Sequence, residues 1–197
     1  MALLLTVISA ALLPSILPLQ LAWQFSRATA VISYVMLTAS MIWGLILSTK
    51  ISKAITPAPA VLAIHNALSW AALGLGVLHP LSLLFDNYFT YNIFHLLIPF
   101  IGPYRPLWVG LGVIALYGLL LINLSFKWKK KMGHKAWKAI HMLTFPTYVL
   151  VTIHGFMAGT DSPLIGAMYG LSAVAVLFLI NYRFLSSGKS KPKKQGV

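Results

Sequence analysis

The sequence predicts an all-α integral membrane protein, folded as a bundle of six transmembrane helices. Hydrophobic residues make up 59% of its 197 positions and charged residues only 9%, and the mean hydropathy is +0.85. A soluble domain carries roughly 25% charged residues. The apolar residues also fall into runs that reach the roughly 20 residues needed to cross a bilayer as a helix. Composition and run length together exclude a soluble globular domain.

Six apolar runs are long enough to be spans. We place them at Leu3 to Leu21, Ala28 to Thr49, Pro59 to Phe85, Leu107 to Phe126, Trp137 to Ala158 and Leu164 to Leu185. Pro14 and Pro18 interrupt the first run, which could also be the core of a signal peptide. Because "MALLLTVIS" lacks a basic n-region, we expect a retained, kinked first span. The predicted domains are a transmembrane domain at 1–185 and a basic cytoplasmic tail at 186–197.

The charged residues between the runs indicate an orientation. All but two of the 15 basic residues lie on alternate connections or in the tail, whereas Arg27 and Arg105 share the opposite side with Asp86 and Asp161. By the positive-inside rule, the basic side is cytoplasmic, so both termini are predicted to be cytoplasmic. The third and fifth spans then run in parallel. This distribution explains the net charge of +13 by topology in a plasma or inner membrane, without nucleic acid.

The absence of cysteine limits the cofactors that the chain could hold. Disulfides, iron–sulfur clusters, Cys-containing zinc sites and thioether-linked haem all need thiols. A bound metal must therefore be held by His, Met or oxygen ligands.

Four of the six histidines form two matched pairs on the parallel spans. His65 and His79 are 14 residues apart, which is about 21 Å along a helix. His141 and His154 are 13 residues apart, or about 20 Å. His65 can therefore face His141 near the cytoplasmic side, while His79 faces His154 near the outer side. Two neutral imidazoles across a gap can hold a haem iron from both axial positions, so we predict two b-type haems.

The direction in which the histidines face is less regular than their heights. A spacing of fourteen residues returns to the same helix face in a left-handed bundle, but thirteen falls about 100° short. Pro146 lies within the shorter interval and is expected to kink the fifth span. Structural hydrogen bonding between helices and a proton or ion pathway are alternative roles for the four histidines. His95 and His134 lie outside the pairs, where we expect solvent exposure or interfacial packing.

The double histidine ladder on the third and fifth of six spans resembles the ferric reductase-like transmembrane domain. Ferric reductases, NADPH oxidases and the haem-binding membrane subunit of the bacterial periplasmic methionine-sulfoxide reductase share this domain. The similarity covers about residues 28–185 and is greatest from residue 105 to residue 155, with a basic loop, Gly-His and Trp-Lys elements and the second histidine pair. The resemblance implies that His65, His79, His141 and His154 are the haem ligands.

The resemblance also implies an electron-transfer subunit of an oxidoreductase. The larger relatives carry a cytoplasmic flavin and nicotinamide module, but no G-x-G-x-x-G follows a strand pattern here, and only about a dozen residues follow the last span. We therefore expect a cytosolic flavin reductase as the electron donor, flavin only through that partner, and an outer-side acceptor that is a protein or small molecule. A haem b subunit of a quinone-linked respiratory complex is the alternative, although its Pro-Glu-Trp-Tyr motif is missing.

Several further residues have candidate roles. Trp70 and Phe145 lie between the ladder positions and could bridge the two haems, although core packing is the commoner role of aromatic residues. Arg27 and Arg105 are the candidates for contacts with haem propionates on the outer side. Six lysines between Lys127 and Lys138 are expected to attract anionic membrane lipids and to form a docking surface for an acidic donor.

Overall fold

A computed structural model describes residues 2–49, 57–86, 88–159 and 163–187. The regular structure in these ranges is helical. The helices are α1 (Ala2–Thr49), α2 (Ala58–Ser82), α3 (Ile93–Leu97), α4 (Pro106–Met142), α5 (Thr144–Ala158) and α6 (Pro163–Ser187), with a 3-10 turn at Leu83–Phe85. Lys50, Lys53, Asp161 and residues 188–197, which include the lysines of the predicted tail, lie outside the described residues.

Five segments of the described chain are long and apolar enough to cross a membrane. They are Leu21–Ser48, Pro59–Phe85, Pro106–Met132, His134–Ala158 and Pro163–Leu185. Large apolar side chains remain exposed on their outward faces, as at Leu171 and Phe178 of α6, which are 71% and 67% exposed. Such apolar side chains are stable against lipid hydrocarbon, whereas their exposure to water would cost free energy. The prediction of an all-α, multi-pass membrane protein is confirmed.

The start of the chain differs from the prediction. A connection was expected near Arg27, between a first and a second span, but α1 is helical from Ala2 to Thr49. The 25 residues between Pro18 and Gly44 contain neither proline nor glycine, so nothing there breaks the helix. The predicted span at Leu3 to Leu21 falls almost wholly on residues 2–20, whose side chains lie outside those described.

The basic segment between the fourth and fifth predicted spans is also helical, where a loop was expected. α4 continues beyond Phe126 to Met142 and is interrupted only at Gly133, with φ 83° and ψ 159°. A residue with a side chain rarely adopts this conformation, which explains why a glycine forms the turn. The Lys129 ammonium then lies 4.0 Å from the centroid of the Trp137 ring across this turn.

The helix of the fifth predicted span is interrupted just before Pro146, where a kink was expected. Helix α4 ends at Met142, Leu143 forms the junction, and α5 begins at Thr144. Pro146 has no N–H to donate to the Met142 carbonyl, and its ring crowds that carbonyl, so the helix is interrupted one turn earlier. His141 and His154 therefore lie on different sides of this interruption.

Contacts between helices establish that α2 and α5 are parallel. Helix α1 is antiparallel to α2, because Ser33 Oγ donates to the Ala72 carbonyl at 2.7 Å while residues on either side pair in reverse order. A cluster of buried hydroxyls joins α1 to α5 and shows that these two helices are also antiparallel. Its contacts are Tyr34 to Tyr148 at 3.1 Å, Thr38 to Tyr148 at 3.1 Å and Tyr34 to Thr152 at 3.2 Å. Since both helices oppose α1, they run in the same direction.

The core lies around α1 rather than between α2 and α5. Tyr34, Leu73, Leu119, Tyr148 and Tyr169 are among its buried residues. α2 packs mainly on α1, α5 packs mainly on α4, and α2 and α5 have little direct backbone contact. Side chains that project from α2 and α5 can therefore meet across a gap.

Candidate functional site: two histidine pairs

The structure brings the four ladder histidines together as two facing pairs. The ring centroids of His65 and His141 are 6.2 Å apart, with an interplanar angle of 78°. The centroids of His79 and His154 are also 6.2 Å apart, with an angle of 63°. We call the first the basic-side pair, because it lies near Lys129. The second is the loop-side pair, because it lies near Arg105 and the connection that leads into α4.

The separation of the rings suits a metal held between them. A metal–nitrogen bond to imidazole is about 2 Å long, and each ring centre lies about 1 Å beyond its nitrogen, so two opposed ligands have centroids about 6 Å apart. Both pairs match this value at 6.2 Å. Two imidazoles joined directly by a hydrogen bond would lie closer, since their nitrogens would be about 3 Å apart.

Hydrogen bonds fix the tautomer of three of the four rings. The Nδ1–H groups of His65, His79 and His154 donate to the carbonyls of Ser40, Ser26 and Trp108, respectively, each at 2.9 Å. A carbonyl oxygen can only accept, so each Nδ1 must carry the proton. In the neutral ring, Nε2 then has a free lone pair. Metal-binding histidines typically show this arrangement, with the second nitrogen held by a backbone carbonyl.

His141 has a different environment. Its ring stacks on Trp137 with centroids 5.1 Å apart and an angle of 19° between planes. Lys129 lies on Trp137 at 4.0 Å. Within the described part of the chain, no group accepts a hydrogen bond from His141 Nδ1. Aromatic stacking, rather than a carbonyl, thus orients this ring.

Two glycines let neighbouring helices approach the histidines. A Cβ atom at Gly112 would lie 2.6 Å from Nδ1 and 2.7 Å from Cε1 of His154. A Cβ at Gly44 would lie 3.1 Å from Cε1 of His65. The loop-side contact is too short for any side chain, while the basic-side contact needs only a small adjustment. Glycine is therefore needed at residue 112 for α4 to pack against His154.

Each pair supplies two imidazole nitrogens, and no third histidine or carboxylate among the described residues joins either pair. Among the described residues, no group of three or more histidine, aspartate or glutamate side chains could hold a metal ion. A tetrahedral zinc site needs more protein ligands than either pair offers. A haem iron would need only two ligands from the protein, and the two imidazoles of each pair could supply them. The donor set therefore fits haem better than a free metal ion.

The two arginines predicted at haem propionates have other contacts in the structure. Arg105 donates from Nη1 to the Met157 carbonyl at 2.7 Å, which fastens the start of α4 to the end of α5. Arg27 lies over the Trp23 ring at 5.1 Å within α1. Both side chains are on the loop-side half of the bundle, so their predicted role stays a prediction.

The two remaining histidines do not face a second histidine. His95 forms a capping box with Asn92 at the start of α3, where its backbone N–H donates to Asn92 Oδ1 at 3.1 Å. His134 is exposed beside Trp137, with ring centroids 5.7 Å apart. These positions agree with the expectation that neither belongs to the ladders.

Of the two aromatic residues that could bridge the haems, Trp70 lies at the surface and Phe145 lies against the core. Trp70 is 41% exposed and has the Lys127 ammonium 5.6 Å from its ring centroid. Phe145 packs against the hydrophobic core. The buried pair Tyr34 and Tyr148 occupies intermediate positions along α1 and α5 and was not predicted. Its hydroxyls are satisfied by each other and by threonines, so it stabilises the bundle at mid-height.

Sequence reasoning also missed three serines on α1. Ser26, Ser33 and Ser40 recur every seven residues and contact α2 at His79, Ala72 and His65, respectively. The spacing from Ser26 to Ser40 is 14, equal to the spacing of the two α2 histidines. That equality was the available signal, because antiparallel helices with equal polar spacing can pair at both positions. We call these residues the serine ladder.

Comparison of the chain with protein-family models, curated proteins and solved structures gives no match. The similarity to ferric reductase-like domains therefore depends on the histidine spacing and the motifs described above.

Proposed function

We propose that the protein carries single electrons across a membrane through two b-type haems. His65 and His141 would ligate one haem, and His79 and His154 the other. Bound haem supplies an iron centre that accepts and donates one electron. The chain supplies four neutral imidazoles, their spacing across the bundle and an apolar environment.

The observation that carries this proposal is the geometry repeated at both pairs. Each pair has ring centroids 6.2 Å apart, and three of the four rings have Nδ1 bound to a carbonyl, which leaves Nε2 free. Histidines that only joined helices would be expected to use both ring nitrogens in hydrogen bonds, whereas Nε2 of these three rings has no hydrogen-bond partner among the described residues. Two such pairs about 21 Å apart along α2 supply two stations for an electron.

The proposed orientation follows from the distribution of charge. Lysines crowd the end of α4 near the basic-side pair, so this end is assigned to the cytoplasm. The C-terminus after α6 is then cytoplasmic as well. Helix α1 contains no reversal of chain direction between residues 2 and 49, so the expected sixth span at Leu3 to Leu21 and the cytoplasmic N-terminus are not part of this proposal.

The proposed partners lie on opposite sides of the membrane. An acidic cytosolic flavin reductase would supply electrons at the basic-side pair, because exposed lysines attract an oppositely charged partner over long distances. An acceptor on the outer side, either a protein or a small molecule, would receive them at the loop-side pair.

A vesicle assay tests the proposed function. Purified protein is reconstituted in liposomes that contain ferricyanide, and dithionite is added outside. We expect trapped ferricyanide to be reduced much faster than in protein-free liposomes. His79→Ala is the matched control, because it removes a ligand from one pair and leaves the other intact. Equal rates for the unchanged protein, the variant and empty liposomes would contradict electron transfer.

A further inference from the structure

The hydroxyls of Ser26 and Ser40 have the same relation to two different histidines. Ser26 Oγ lies 3.0 Å from His79 Nδ1, and Ser40 Oγ lies 3.1 Å from His65 Nδ1. Each hydroxyl also donates to the backbone carbonyl of the same histidine, at 3.3 Å in both cases. The contacts agree within 0.1 Å although they lie 14 residues apart on each helix, so both belong to one repeated arrangement.

The direction of these hydrogen bonds can be assigned. Since Nδ1 already donates to a serine carbonyl, it carries a proton and cannot accept from the hydroxyl. The hydroxyl proton points to the histidine carbonyl instead. An oxygen lone pair is then free to accept from Nδ1–H, which is shared between the carbonyl and hydroxyl oxygens of one serine. Each α2 histidine is thus held by two acceptors.

Two acceptors on Nδ1–H make an imidazole a stronger electron donor through Nε2. A hydrogen bond from the distal nitrogen raises ligand basicity, and hydrogen bonding around the axial ligands is one of the means by which a protein sets a haem potential. A more basic imidazole stabilises ferric iron over ferrous iron. The seryl oxygens should therefore lower the potential of each haem.

We propose that Ser26 and Ser40 are positioning residues that lower the redox potentials of the loop-side and basic-side haems, respectively, through His79 and His65. This inference rests on the proposed haem function. Ser33, the middle residue of the ladder, has no such role, because its hydroxyl donates to the Ala72 carbonyl at 2.7 Å and meets no histidine.

The ladder provides its own matched control. Ser26, Ser33 and Ser40 are all nearly buried, at 4%, 9% and 4% exposure, and all three hydroxyls donate to α2 carbonyls. Ser→Ala at any of the three removes one hydroxyl from the α1–α2 interface. Only the substitutions at 26 and 40 also remove an acceptor from a histidine.

The test is a redox titration of Ser26→Ala, Ser33→Ala and Ser40→Ala, followed by absorption and by electron paramagnetic resonance of the ferric haems. We expect Ser26→Ala and Ser40→Ala each to shift one of the two haems to a more positive potential and to change one ferric signal. The affected haem should differ between them, and Ser33→Ala should shift neither. His65→Ala and His79→Ala, which each retain one pair, identify the two components.

Every outcome of this test has a defined meaning. Selective loss of one haem in Ser26→Ala or Ser40→Ala, with both haems kept in Ser33→Ala, would also support the proposal, because the hydroxyl would then be required to hold the ligand. Unchanged potentials, or equal changes in all three variants, would overturn it. If the unsubstituted protein binds no haem, the proposed function fails first, and that result is visible before any variant is compared.

Discussion

The basic-side and loop-side pairs have the same separation but are supported differently. The loop-side pair has both Nδ1 groups on carbonyls, from Ser26 and Trp108. The basic-side pair has one such bond, at Ser40, while the second ring stacks on Trp137 beneath a lysine. Carbonyls fix the tautomers of both rings in the loop-side pair. In the basic-side pair, packing orients the His141 ring, which lies near positive charge.

This difference suits different tasks at the two ends of the bundle. The His141 ring is stacked on half-buried Trp137 at the lysine-rich end of the bundle, where a charged partner would approach. Both loop-side rings are half-buried, and a carbonyl, from Ser26 or Trp108, fixes the orientation of each. The comparison predicts three differences. Removal of one ligand should cost only the haem of that pair, and a side chain added at a neighbouring glycine should disturb the loop-side pair more than the basic-side pair. Loss of surface lysines should slow reduction at the basic-side pair.

The largest expected effect is the loss of a whole haem when a ligand is removed. His65→Ala and His141→Ala should lose the same basic-side haem and retain about half of the total haem, since each haem needs both of its axial ligands. His79→Ala and His154→Ala should lose the other one. Absorption spectra and haem content of the purified variants are the measurements. His95→Ala is the control and should keep full haem content. Different spectra from the two members of a pair would contradict the assignment.

A smaller effect should distinguish the glycines beside the two pairs. Gly112→Ala places a Cβ 2.6 Å from His154 Nδ1, so the ring must move away from the Trp108 carbonyl, and most loop-side haem should be lost. Gly44→Ala meets His65 at 3.1 Å and should retain its haem with a modest shift in the spectrum. Haem content reports both effects.

Gly166→Ala serves as the control for these glycine variants, because its Cβ would meet only Phe156, at 3.8 Å. It should bind haem like the unchanged protein. If Gly112→Ala kept full haem content and an unaltered spectrum, the close approach of α4 to His154 would not matter for the site.

The smallest expected effect concerns docking at the lysines. Lys130, Lys131 and Lys135 are exposed. Replacing them with glutamine leaves the Lys129–Trp137 contact in place, so it should slow reduction by a cytosolic flavin reductase several-fold without changing haem content. Salt should slow the unchanged protein more than the variant, because exposed charges are screened over about 10 Å at 0.1 M ionic strength. Stopped-flow absorption measures the rate.

Arginine at the same three positions is the control that retains charge and should preserve both the rate and its dependence on salt. If the glutamine variant were reduced as fast as the unchanged protein at low salt, the lysines would serve only orientation and binding to lipid headgroups.

Much of the site followed from helix periodicity and charge. The heights of the four histidines needed only the rise per residue, and the parallel direction of α2 and α5 needed only the sidedness of the lysines. The serine acceptors could not be predicted in this way, because Ser26 and Ser40 reach His79 and His65 only in one register between α1 and α2. Residue spacing within one helix does not fix that register.

The errors in the predicted fold have a common cause. Hydropathy identifies apolar stretches, but it does not determine whether the backbone turns between them. The helix continues through Arg27 because its neighbours are compatible with helix, and α4 continues through Lys127 for the same reason. The actual turn is at Gly133, the one residue in the basic segment that can adopt a positive φ without strain.

The haem content of the purified protein tests the central claim most directly. The protein is expressed with ample haem, purified in detergent and measured by pyridine haemochrome assay together with a reduced-minus-oxidised spectrum. We predict two b-type haems per chain, both low-spin and both extractable by acid acetone, since the chain has no cysteine to tether them. A protein that is folded and helical but has no low-spin b-type spectrum would contradict the account.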